Sequence, residues 1–129
     1  MSEPKKKIHS DGAPEALGPY SQAVRVGEQL FCSGQIPLDP DSGELVTGGF
    51  EAQVERVFEN LTAVVAAAGL SLDDAVKVTV YMTDLGKFPV LNEIYARHFT
   101  EPYPARATVG VASLPKGAEV EIDLVAVAG

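Results

Sequence analysis

The longest regular pattern in the chain begins at Phe50. Phe50, Val54, Val57, Leu61, Val64, Val65 and Ala68 recur at helical spacing, and Gly69 stands where the residue just past a helix often turns left-handed. This predicts a helix over 50–68, with Glu51 and Glu55 where carboxylates suit the positive end of the helix dipole. Phe88, Leu91, Ile94, Tyr95 and Phe99 predict a second helix, Pro89 being tolerated in or near its first turn. The remaining apolar runs alternate with polar residues or are β-branched: Gln22 to Val26, Leu30 to Ser33, Val76 to Met82, Arg106 to Ala112 and Val120 to Val127. The expected order is strand, strand, helix, strand, helix, strand, strand. That is an α+β fold in which a mixed sheet of five or six strands carries both helices on one face. No third layer remains to cover the other face, so another copy of the chain is expected there.

Turn chemistry refines the placement of side chains. Gly27-Glu28 fits a two-residue type II′ turn, which sets Val26 against Gln29, Val24 against Phe31, Gln22 against Ser33 and Tyr20 against Gln35. Tyr20 and Ser33 are then diagonal neighbours, and Gly34 would let a ligand approach the backbone closely. A second hairpin is expected around Leu114-Pro115-Lys116-Gly117, with Gly110 facing Glu121 and Thr108 facing Asp123. Arg106, Thr108 and Glu121 then share one face close to Pro104, Gly110 leaving room opposite the glutamate. An arginine, a hydroxyl and a carboxylate so placed suit a small-anion pocket. On spacing alone the plainer readings have more weight: an ion pair for Arg106 and Glu121, a packing residue with its hydroxyl at the rim for Tyr20, and turn chemistry for Ser33-Gly34. Cys32 reads as a buried small apolar residue and His98 as a partly buried structural one.

Composition narrows the classes of function. The 129 residues suit a single domain over 1–129, and 46% hydrophobic with 22% charged residues is ordinary for a globular chain with no membrane span. Ten basic residues against eighteen acidic ones give −8. Three of the ten, Lys5 to Lys7, fall in a segment expected to fray over about 1–7. Such a balance argues against nucleic acid as a partner, because binding it needs a basic surface that displaces counterions. It also makes an isolated arginine conspicuous. Cys32 is the single cysteine and there are two histidines, so neither an intrachain disulfide nor a typical zinc site is expected. The polar start lacks an apolar signal segment, which points to a cytoplasmic location.

Several separated segments carry more than spacing. The run from Pro104 to Asp123, PARATVGVASLPKGAEVEID, closely resembles the C-terminal signature of the reactive intermediate deaminase family, also called the YjgF/YER057c/UK114 family. Leu17-Gly18-Pro19-Tyr20-Ser21-Gln22, Phe31-Cys32-Ser33-Gly34-Gln35-Ile36-Pro37 and Ala67-Ala68-Gly69-Leu70 resemble further landmarks of that family in the same order, from about Gly18 to Val127. The resemblance implies a chorismate-mutase-like subunit assembled as a homotrimer, helices outside, sheets lining a central barrel, and clefts between subunits. It implies hydrolysis of reactive enamines and imines, chiefly 2-aminoacrylate and 2-iminopropanoate, to 2-keto acids and ammonia without a cofactor. Residue by residue, it implies that Arg106 grips the substrate carboxylate and that Glu121 holds or activates the attacking water. Ser33, Gly34, Tyr20 and Asn92 then line the substrate, and Thr108, which stands where some members carry cysteine, belongs to the same substrate site and can help hold the water through its hydroxyl. Two further readings remain open. One is a trimeric module that binds keto or amino acids without turnover; the other, weaker on an acidic chain, is an endoribonuclease or translation inhibitor.

Overall fold

In a computed structural model, residues 4–129 are described. They form a six-stranded mixed sheet with two helices, in the strand order β1-β2-β3-β6-β4-β5. The elements are β1 (Lys6–Ile8), β2 (Ala23–Val26), β3 (Gln29–Gln35), α1 (Gly49–Ala67), β4 (Ala75–Met82), α2 (Phe88–His98), β5 (Ala105–Gly110) and β6 (Val120–Val127). Five strands and both helices therefore fall where the apolar pattern places them. Strand β1 is additional: Lys6 and Lys7, expected to fray, pair with Arg25 and Val24. Residues 1–3 of that expected segment lie outside the described residues.

The first hairpin has the expected register, Val26 against Gln29 and Val24 against Phe31, and Gly27 supplies the positive φ of 57° that its turn requires. Helix α1 ends as its sequence predicts. Gly69 turns left-handed at φ 78°, and the Gly69 and Leu70 N–H groups donate back to Ala66 and Val65, a closure that satisfies carbonyls the helix would leave bare. Alternation builds the core. Val120, Ile122, Leu124 and Ala126 of β6 and Val78, Val80 and Met82 of β4 are buried with Val57, Phe58, Leu61 and Val64 of α1 and Leu91 and Ile94 of α2. Each fully buried aliphatic side chain of this kind contributes about 1.5–3 kcal/mol.

The end of the chain departs from expectation. Strand β5 follows β4 through α2, a crossover that leaves the two strands parallel and adjacent, with Val78 against Arg106 and Val80 against Thr108. The segment after β5 then carries β6 to the other edge of β4, where it runs antiparallel to both β4 and β3. Strands β5 and β6 are thus not a hairpin, and Thr108 does not face Asp123. The opposite sheet face stays uncovered in the single chain, with Phe31 44%, Val76 47% and Val109 41% exposed.

Two buried amides tie loops to this frame. Gln22, on the strand edge, accepts from the Ser10 N–H at 2.7 Å and donates to the Pro14 carbonyl at 2.8 Å. Asn60, fully buried on α1, donates to the carbonyls of Ile36 and Leu38. Both loops border the same groove.

Candidate functional site

The sequence-derived site residues fall into two groups on opposite faces of the sheet. Arg106 lies near the start of the edge strand β5, and its pairing with Val78 turns it to the helix face. There it meets α2, where Phe88, Asn92 and Tyr95 recur at helical spacing and so share a side. Arg106 Nη1 donates to Asn92 Oδ1 at 2.8 Å, and its guanidinium carbon lies 4.7 Å from the centre of the Tyr95 ring and 5.2 Å from that of Phe88. Stacking against aromatic faces and one hydrogen bond fix the plane of the fork. A guanidinium has five N–H donors, so the rest remain available to a ligand. They border an open hollow of about 440 Å³ lined by Asn92, Tyr95, Ala96, Tyr103, Pro104 and Arg106. Thr108 shares the face of Arg106, but its hydroxyl oxygen is buried without a partner among the described residues, as is that of Tyr95. Burial pushes the Tyr95 phenol upward, with the Arg106 charge partly opposing it.

Glu121 lies in the middle of the sheet on the uncovered face, opposite Tyr81 of β4. Toward β3 the pairing is irregular: Cys32 pairs with Leu124 and Gln35 with Ile122, so Ser33 and Gly34 together stand opposite Asp123 alone. This bulge keeps Cys32 and Gln35 in the core and leaves Ser33 and Gly34 both outside it. A Cβ on Gly34 would overlap the Glu121 carboxylate, so the glycine makes room for the glutamate itself. Gly110, to which the sequence reading gives that task, instead accommodates Leu85, whose Cδ1 lies 2.9 Å from where a Cβ would stand. Ser33 Oγ donates to the Ser21 carbonyl at 2.6 Å.

A groove of about 750 Å³ opens beside this group, bordered by Glu15, Tyr20, Ser33, Gly34, Lys116 and Glu121. Tyr20 stands 54% exposed on its rim, and Lys116, with a left-handed φ of 57°, reaches across to the Gly43 carbonyl at 3.2 Å. Burial pushes the Glu121 carboxyl above its ordinary range, and the neighbouring Asp123 charge adds to the push. The expected grouping of Arg106, Thr108 and Glu121 on one face is therefore overturned. Strand β4 separates their strands, and the parallel register of β5 turns Arg106 to the helices while Glu121 faces away from them. Asn92 joins Arg106; Tyr20, Ser33 and Gly34 join Glu121.

The structure adds residues that the sequence reading missed. Phe88 and Tyr95 clamp the arginine, and Tyr81 donates to Asp123 Oδ2 at 3.1 Å beside the glutamate. The i, i+7 spacing of Phe88 and Tyr95 flanking Asn92 was a visible signal for the clamp. No comparable signal marks the Tyr81 contact, which depends on the order of the strands. Cys32 is buried, and its thiol is pushed up to about 12 by that burial and by Asp123, which fits a packing role. His98 likewise packs: its ring stacks on Phe58 at 4.4 Å and contacts Glu55 at 3.1 Å. Among the described residues no cluster of three or more His, Cys, Asp or Glu is placed to hold a metal, and no helix is long and apolar enough to cross a membrane.

Comparison with known proteins decides the family. The model of the family described as endoribonuclease L-PSP, which is the YjgF/UK114 family of the sequence reading, matches residues 10–128. The chain belongs to that family. Among its relatives, protein DfrA of Myxococcus xanthus is 58% identical over 125 residues, covering 95% of each chain. The 2-iminobutanoate/2-iminopropanoate deaminase of Mus musculus is 45% identical, over 97% of this chain and 93% of its own. A crystal structure of E. coli TdcF with bound serine superposes with a TM-score of 0.90 at 43% identity, covering 96% of this chain and 99% of that one. Other YjgF/UK114 members are named only generically, for example a RutC family protein of Aquifex aeolicus at 51% identity, so the family name alone does not fix an activity.

Proposed function

We propose that this protein hydrolyses 2-imino acids and their enamine tautomers, such as 2-iminopropanoate and 2-aminoacrylate, to 2-keto acids and ammonia. We further propose that its sites form between adjacent copies in a homotrimer. One observation carries the reading: the arginine suited to grip a carboxylate and the glutamate suited to handle water occupy opposite faces of one sheet, each beside its own hollow. A second copy, seated on the uncovered face, brings an Arg106 half against a Glu121 half. The mouse relative's name and the serine bound to TdcF support a small amino-acid-like ligand.

In this reading Arg106 takes the substrate carboxylate in two parallel charge-assisted hydrogen bonds, while Asn92 and the two rings hold the fork at its angle. Thr108 lies two residues along β5 from Arg106 on the same face, its hydroxyl buried. Tyr20, Ser33 and Gly34 wall the imine end. The imine carbon is already electrophilic when its nitrogen is protonated, so holding water against a pinned substrate supplies most of the acceleration. Glu121 takes a proton from that water as its oxygen bonds to the carbon. It returns that proton to the nitrogen and, ionised again, takes the remaining hydroxyl proton as the carbonyl forms and ammonia leaves. The acidic balance, −8 over the chain, makes an RNA substrate a poor fit.

A serine or threonine dehydratase coupled to this protein, with semicarbazide trapping the surviving imine, tests the proposal. Added protein should accelerate imine loss, and Arg106→Ala should lower kcat/KM by about a hundredfold. No acceleration, with retained binding of serine or pyruvate, would favour a binding module; an undiminished Arg106→Ala rate would refute the carboxylate grip.

A further inference from the structure

Glu121 shares its face with a second carboxylate. Asp123 lies two residues along β6 on the same side, and Tyr81 is the cross-strand partner of Glu121 on β4. The Tyr81 hydroxyl does not turn to that partner; it reaches diagonally and donates to Asp123 Oδ2 at 3.1 Å. On the other flank, the Ser33-Gly34 bulge opposite Asp123 brings the backbone against Glu121 and adds no charge. The remaining titratable groups around the groove are Glu15, Tyr20, Asp41 and Lys116, whose ammonium is engaged by the Gly43 carbonyl. In the proposed assembly Arg106 of an adjacent copy approaches from the far side.

We propose that Asp123, held by the Tyr81 hydroxyl, is a positioning residue for Glu121: it fixes a second carboxylate beside the one that takes and returns the proton. The inference rests on the proposed imine hydrolysis for its catalytic meaning, while the coupling itself is a property of the folded protein. Two carboxylates side by side resist ionising together, and a hydrogen bond donated to one of them decides which stays charged. The phenol donates only to Asp123. Glu121, which has no such donor among the described residues and is partly buried, is pushed above the ordinary glutamate range by burial and by the Asp123 charge. That suits the reaction, because a carboxyl poised nearer neutrality both accepts the proton of water and hands it to departing ammonia more readily than an ordinary one. A partner-supplied arginine favours the ionised glutamate; the Asp123–Tyr81 pair opposes that pull.

Two readouts test this together: the titration of the Glu121 carboxyl carbon, followed by NMR in glutamate-labelled protein, and the acid limb of kcat/KM in the coupled assay. Asp123→Asn should lower both midpoints by about half to one pH unit, since removing a like charge favours the ionised glutamate. Tyr81→Phe should lower both by less, because Asp123 keeps its carboxylate but loses the bond that holds it beside Glu121. Asp123→Glu should hold them near the wild-type values. A Glu121 midpoint unmoved by Asp123→Asn, or a Tyr81→Phe variant identical to wild type in both readouts, would overturn the proposal. If the NMR midpoints shift as expected but wild-type protein hydrolyses no imine, the coupling stands and the deaminase reading falls.

Discussion

Gly34 shows how a single missing side chain decides what its neighbour can do. Its Cα lies so close to Glu121 that a methyl group would occupy the carboxylate's place. Gly34→Ala is therefore expected to displace Glu121 from the groove. Imine hydrolysis should fall by about a hundredfold, while overpacking at a partly exposed bulge costs about 1–3 kcal/mol of stability. Kinetics and a melting curve on the same sample check this; an active Gly34→Ala variant would mean that Glu121 does not work from this position. The residue types were legible in the sequence: Arg106, Glu121, Ser33-Gly34 and Tyr20 all stood out. Which glycine served the glutamate was not legible, because it depends on which strands are neighbours.

Elements explain that difference. Helices α1 and α2 and the turn at Gly27-Glu28 follow from local periodicity and local chemistry, which a sequence displays directly. The placement of β5 follows from a crossover through α2, and the distance between Arg106 and Glu121 in space reflects the insertion of β4 between their strands. The bulge at Ser33-Gly34 is likewise a property of a strand pair: it appears only against β6. Loops are fixed at this scale as well. Asn60, buried in α1, is the donor for two carbonyls of the segment that borders the groove at Ile36 and Leu38. Asn60→Ala leaves them without that partner, which should cost about 1–3 kcal/mol and several degrees of Tm. It should also raise KM more than it lowers kcat as the groove wall loosens. An unchanged KM in a protein with lowered Tm would confine Asn60 to stability.

For the whole molecule, the proposed trimer accounts for both the uncovered sheet face and the division of the candidate site. In the proposed assembly another copy covers the face bearing Phe31, Val76 and Val109 and sets its Arg106 half, on the edge strand, against the Glu121 half of its neighbour. The net charge of −8 repels small carboxylates at long range, and screening limits that effect to about 8 Å at physiological salt. In the proposed trimer Arg106 acts locally, within a cleft between copies. Subunit mixing tests this claim most directly. Arg106→Ala and Glu121→Ala proteins, each inactive alone, are unfolded together in equal amounts and refolded. If every site takes its arginine from one copy and its glutamate from the next, each mixed trimer regains one intact site, and about a quarter of wild-type activity returns. Mixed trimers that form but remain as inactive as either parent would contradict the account.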